Sequence, residues 1–159
     1  MAIKQGDKIP NVELKTMGAE GPEVVQTGEV LGTGKVVLFA VPGAFTPGCS
    51  KIHLPGFVQG ADDLKAKGVD RVACVAVNDV WVMDAWGKDQ GVGDKILMLA
   101  DGSGTFTKAL GLELDVVAAG LGTRSKRYSA VIEDGIVTSI DIDDSGIDAS
   151  SCEATLGRV

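Results

Sequence analysis

KVVLFAVPGAFTPGCS, Lys35 to Ser50, passes from a continuous apolar run into a turn punctuated by proline and glycine that ends on a cysteine. Lys35–Val41 is short, uninterrupted and rich in valine. That is the pattern of a strand buried on both faces, hence of a sheet covered by helices on both sides. Thr46-Pro47 then reads as a helix start, with threonine as N-cap and proline at the first helical position. Counting on, Gly48 is second and Cys49 third. Cys49 therefore lies in the first turn of a helix that leaves the carboxyl end of a buried strand, where open α/β sheets place their sites.

Working outward, Arg71–Val77 (RVACVAV) and Ile96–Ala100 (ILMLA) repeat the buried-strand pattern. Between them Leu54, Phe57, Val58, Ala61 and Leu64 form a helical stripe ending at Gly68. Asn78-Asp79 caps a second helix running through Trp86 and closed by Gly87; Ser103 caps a third through Leu110, closed by Gly111. Lys126–Glu133 and Ile136–Ile142 flank Asp134-Gly135, an antiparallel hairpin signal. Val12–Leu14 and Glu23–Gln26 predict another hairpin near the N-terminus, and a short helix or tail follows Ser151. Alternating strands and helices ahead of a hairpin predict an α/β fold with a mixed sheet. No repeat or linker interrupts residues 1–159, which read as one domain.

Composition narrows the function. With 15 basic and 22 acidic residues the chain has no Lys/Arg stripe for phosphates, so nucleic acid is not an expected partner. No apolar run of 18 residues offers a membrane span. Three cysteines, Cys49, Cys74 and Cys152, are too few and too odd for a secreted disulfide framework, so a reducing compartment is expected. MAIKQGDKIP lacks a signal-peptide core. This fits the cytoplasm, or a chloroplast or other organelle stroma if a transit peptide has been removed. One histidine and scattered cysteines give no metal-ligand spacing, and the 22 glycines form no nucleotide fingerprint. No cofactor is expected.

The position of Cys49 favours its thiolate, because first-turn N–H groups lack partners and the helix dipole adds positive charge. Such settings bring thiol pKa values from ~8.5 to ~3.5–7.5, and only the thiolate attacks. Pro42 stiffens the wall beside the sulfur, and Gly48 permits close approach by another molecule. Taken alone, a buried structural cysteine explains these residues about as well.

Pro42, Thr46 and Cys49 together resemble the active-site motif of the peroxiredoxins. VPGAFTPGCSKIHLPGF (Val41 to Phe57) is similar to the type II, or atypical two-cysteine, subfamily, in particular its plant and algal members. GVDRVACVAVNDVWVMDAW, LADGSGTFTKALGLELD and GLGTRSKRYSAVIEDG extend the likeness over nearly the whole chain. The resemblance implies a thioredoxin-like fold and a thiol-dependent peroxidase, serving antioxidant defence and redox homeostasis. Its substrates would be hydrogen peroxide and alkyl hydroperoxides. Cys49 would attack the O–O bond and become a sulfenic acid, Thr46 would hydrogen-bond sulfur and peroxide, and Pro42 would shield them. The family's distant arginine matches Arg124, whose charge would favour the thiolate and hold the peroxide; Arg127 is the second choice.

Three routes could resolve the sulfenate. Cys74 matches a second cysteine of plant type II members, though a small residue in a buried strand is the plainer reading. Cys152 lies near the C-terminal resolving cysteine of animal members, a few residues late. Glutathione, glutaredoxin or thioredoxin could also attack directly. Either internal pairing would require the first turn to unwind, and Pro55-Gly56 is expected to weaken that helix. His53, at i+4 from Cys49, is read as structural or surface rather than as a base. Trp81 and Trp86 are read as core or interface. Phe45 would be partly exposed in a monomer, and the resemblance implies a homodimer through that edge. The competing functional class is a non-catalytic peroxide-sensing redox relay on the same fold, which multiple turnover would distinguish.

Overall fold

The computed structural model describes residues 2–159. β1 (Glu13–Gly18) and β2 (Gly21–Gln26) form an antiparallel hairpin, and a single turn, α1 (Thr27–Val30), leads to β3 (Lys35–Ala40). A π-helical turn (Cys49–His53) runs into α2 (Leu54–Ala66), followed by β4 (Arg71–Ala76), α3 (Val80–Asp89), β5 (Leu97–Ala100) and α4 (Thr105–Leu110). A small hairpin of β6 (Glu113–Val116) and β7 (Gly122–Ser125) precedes the long hairpin of β8 (Arg127–Glu133) and β9 (Ile136–Asp143), and α5 (Cys152–Leu156) comes last.

Seven strands form one sheet in the order β2-β1-β5-β4-β3-β8-β9. β3, β4 and β5 are parallel, and β8 runs antiparallel to β3. This mixed sheet with helices on both faces is the expected α/β, thioredoxin-like architecture. Alternation along β3 explains the two cores. Val37 and Phe39 join Cys74 under α2 and α3, against Leu54, Phe57, Met83 and Trp86. Val36, Leu38 and Ala40 face the other way, against Phe106, Leu110 and Tyr128. Both faces of β3 are buried, as its unbroken apolar run requires.

The sequence-based helix boundaries need two corrections. Gly87 does not close α3, which continues to Asp89. It sits inside the helix where a Cβ would press on Met98 and Val92, so a close approach to β5 requires glycine. Ser103 does not cap α4. The buried Asp101 carboxylate does so, accepting from the N–H groups of Phe106 and Thr107 at 3.1 and 2.8 Å. Asp79 caps α3 as expected, through Val82 N–H at 2.9 Å. The predicted Asp134-Gly135 turn holds, with both residues at positive φ (48° and 84°), as a tight hairpin of this twist demands. The β6–β7 hairpin, four residues per strand, gives too short an alternation to be read from sequence.

Among the described residues no helix is long and apolar enough to cross a membrane. α5 packs on α2 where Gly60 leaves room for the Cys152 sulfur; a Cβ on Gly60 would collide with that Sγ. Gly60→Ala should therefore destabilise the fold by about 1–3 kcal/mol in urea unfolding. Gly60→Ala combined with Cys152→Ala should recover most of that loss, a coupling a double-mutant cycle measures.

Candidate active site

Pro47 begins the helix as predicted, and Ser50 N–H donates to the Thr46 carbonyl at 2.9 Å. The backbone then widens into the π-turn at Cys49–His53, directly ahead of Pro55. Proline has no N–H to give to the carbonyl four residues back, and its ring crowds that carbonyl; a widened turn relieves both problems. The helix continues unbroken to Ala66. Ser50 Oγ is tied down from α3, accepting from Trp86 Nε1 at 2.9 Å, which places Trp86 in the core beside the turn. Trp81 is largely exposed.

The loop ahead of the turn is also constrained. Thr46 does not cap with its side chain; its hydroxyl donates to the Gly43 carbonyl at 2.7 Å. Ala44 N–H donates to Asn78 Oδ1 at 2.9 Å. Between them Phe45 adopts a left-handed φ of 63°, unusual for a bulky residue and costing on the order of 1–3 kcal/mol. Pro42 is half-buried at the entry to this loop.

Cys49 is fully buried and free. Arg127 Nη2 donates to its sulfur at 3.1 Å, and Arg127 Nη1 lies 2.7 Å from His53 Nδ1. His53 Nε2 lies 2.9 Å from the Ser150 carbonyl. A carbonyl only accepts, so Nε2 carries the proton and Nδ1 accepts from the arginine. Burial pushes His53 ionisation down to about 4, and the Arg127 charge adds to that, so the imidazole is neutral near pH 7. Phe39 and Phe57, stacked 4.0 Å apart, wall the ring.

Arg127, not Arg124, is the cation at the sulfur. Arg124 sits in the small hairpin, its Nε donating to the Leu121 carbonyl at 2.8 Å. Its guanidinium reaches the loop only as far as Gly43, where an added Cβ would lie 3.2 Å from Nη1. Strand alternation could have found Arg127. It shares a face of β8 with Val131, which packs in the Cys49 core, whereas Tyr128, Ala130 and Ile132 pack in the opposite one. His53 is thus neither a surface residue nor a base for Cys49; both ring nitrogens are occupied.

The other two cysteines sit in regular elements. Cys74 lies in β4, flanked by β3 and β5, and burial first and Cys49 second push its thiol well above the usual range. Cys152 opens α5 with its thiol pushed up to about 11 by burial and the Asp63 charge. No group of three or more His, Cys, Asp or Glu suited to a metal ion occurs among the described residues.

Comparison with known proteins adds to this geometry. The Redoxin family model matches residues 4–156. Peroxiredoxin-2E, chloroplastic, of Arabidopsis thaliana is 44% identical over 91% of this chain, which spans 64% of that relative's length. Peroxiredoxin-2C of Oryza sativa subsp. japonica is 47% identical, covering 91% of this chain and 90% of the relative. The crystal structure of reduced Prx3 in complex with hydrogen peroxide from Vibrio vulnificus superimposes with a TM-score of 0.94 at 48% identity, over 98% of each chain.

The neutral histidine gives a pH prediction. Its folded pKa lies below the unfolded value of about 6.5, so the unfolded chain binds the extra proton between those values. Its contribution is present above pH ~6.5 and is lost as pH falls towards 4. Thermal melts from pH 7.5 to 4.5 should show Tm falling through this window, with a shallower fall in His53→Gln.

Proposed function

The chain belongs to the Redoxin family, among the peroxiredoxins; from that premise we propose that it is a thiol-dependent peroxidase in which Cys49 is the attacking thiol, Arg127 its activating cation and an external thiol its reductant. The observation that carries this is the 3.1 Å contact from Arg127 Nη2 to Cys49 Sγ in the first turn of a helix.

The chemistry follows. The Cys49 thiolate attacks one oxygen of hydrogen peroxide or an alkyl hydroperoxide, and the O–O bond breaks. Hydroxide or alkoxide leaves and takes up a proton, and the sulfur, oxidised by two electrons, becomes a sulfenic acid. Charge developing on the departing oxygen is met by Arg127 and the first-turn N–H groups, fixed before reaction. Thr46 has committed its proton to the Gly43 carbonyl, so its oxygen can accept from a peroxide O–H. Pro42 is the stiff, half-buried wall of that pocket.

Regeneration is assigned to an external thiol, glutathione with glutaredoxin or else thioredoxin. It forms a mixed disulfide with Cys49, releasing water, and a second thiol frees Cys49. Three observations support this over an internal resolver. Freeing Cys74 means parting β4 from β3 or β5. Freeing Cys152 means dislodging α5, which is held by Ser129–Thr155, Lys67–Leu156 and Arg158–Asp141 contacts. Raised thiol pKa values leave both poor nucleophiles where they stand. Three free thiols suit a reducing compartment, cytoplasm or organelle stroma. Phe45, Ile52 and Trp81, each more than half exposed around the active loop, support a homodimer formed on that face.

Peroxide consumption with glutathione and glutaredoxin tests the assignment. Cys49→Ser should be inactive and Arg127→Ala slower by about 100-fold. Arg124→Ala should lose far less, and Cys74→Ser and Cys152→Ser should keep turning over. A larger loss in Arg124→Ala than in Arg127→Ala would reverse the arginine assignment, and loss of turnover in either serine variant would identify a resolver.

A further inference from the structure

Asp143 ends β9 directly opposite Arg127 in the β8–β9 register. Its carboxylate is saturated by the segment that follows. Oδ2 accepts from the N–H groups of Asp148 and Ser150 at 3.0 and 2.8 Å and from Ser150 Oγ at 2.6 Å; Oδ1 accepts from Ala149 N–H at 3.1 Å. This folds residues 144–150 into a closed loop and fixes the fully buried Ser150, whose carbonyl receives His53 Nε2–H. His53 in turn receives Arg127, and Arg127 reaches Cys49. The same loop presents Ile147 to the active turn, near enough that a Cβ on Gly48 would lie 3.4 Å from its Cδ1.

We propose that Asp143 is a positioning residue for the peroxidase reaction, acting through Ser150 and His53 to hold the Arg127 guanidinium on the Cys49 sulfur. The inference rests on the proposed roles of Cys49 and Arg127. Its physical basis is that a guanidinium on a long side chain has many rotamers. Two fixed acceptors, sulfur and imidazole, select one of them, and the imidazole nitrogen that faces away from the arginine is held by the Ser150 carbonyl. That carbonyl belongs to a loop with no secondary structure of its own between β9 and α5. The carboxylate is what gives the loop a single shape, and three backbone N–H groups plus a hydroxyl form a complete shell for one negative charge. The charged or titratable neighbours of this relay are Arg127 from β8, His53 from the active turn, Cys74 from β4 and Arg124 at Gly43.

The test compares wild type, Asp143→Ala, Asp143→Asn, His53→Gln and the Asp143→Ala/His53→Gln double variant, each checked for folding by circular dichroism. Two quantities are read: the second-order rate of peroxide consumption, and the pH profile of Cys49 alkylation by iodoacetamide, followed on the Cys49 peptide by mass spectrometry. Asp143→Ala should slow peroxide consumption by about 10-fold to 100-fold. It should also move the alkylation midpoint up by about one pH unit as the cation leaves the sulfur. The double variant should be no worse than His53→Gln alone, because both residues act on one guanidinium. A merely structural Asp143 would lower Tm but leave the alkylation midpoint in place, and that result overturns the proposal, as does full additivity in the double variant. If Asp143→Ala does not fold, Asp143→Asn decides, since it keeps the shape but removes the charge and one acceptor. A wild type inert to peroxide would overturn the peroxidase assignment, while the alkylation profiles would still decide the role of Asp143.

Discussion

A planar guanidinium can hold a sulfur at a set distance and angle only if its own plane is fixed, and in this molecule a neutral imidazole fixes it. Arg127 uses one terminal nitrogen for Cys49 and the other for His53. An imidazolium would offer no lone pair and would confront the arginine charge at 2.7 Å. Burial against the stacked Phe39 and Phe57 rings prevents that by keeping the ring uncharged. The aromatic core beneath the site is thus an electrostatic component of it, since the polar relay works only because apolar neighbours forbid a proton on His53.

The sheet order then becomes a functional constraint. β3 and β8 are antiparallel, with Ala40 opposite Tyr128, so the carboxyl end of β3 meets the amino end of β8. The cysteine turn leaves from the first and Arg127 stands at the second. A parallel β8 would deliver the arginine to the far edge of the sheet. The left-handed Asp134-Gly135 turn that follows then returns β9 along β8 and brings Asp143 back opposite Arg127.

Most of this architecture is legible in the sequence because it rests on continuous apolar runs and punctuating residues. Lys35–Val41 and Arg71–Val77 are unbroken apolar runs and the hairpin is marked by its Asp-Gly stop signal, and each lies within a residue or two of its expected place. Cys49 is legible for the same reason: a strand end, a Thr-Pro start and a count of three. What is not legible depends on contacts between residues far apart in sequence. Choosing Arg127 over Arg124 requires knowing which face of β8 lies over the turn, and His53 is set by Ser150, 97 residues away. Ser103 looked like a cap because it is adjacent to α4, whereas Asp101 reaches further with a carboxylate. The π-turn has a local cause in Pro55, but its conformation is rare enough that a regular helix is the stronger expectation.

That π-turn sets the azimuth of the nucleophile. A π-turn holds one residue more than an α-turn, so it is equivalent to a single insertion in the helix that carries Cys49. Each α-helical residue advances the chain by about 100°. Viewed from α2, the widened turn shifts Cys49 by roughly one such step from where a regular helix would hold it. Chains that lost one residue between Cys49 and Pro55 could keep the same strand, helix and cysteine and still aim the sulfur away from β8. Within this fold, helix length is therefore as much a determinant of reactivity as the identity of any side chain around it.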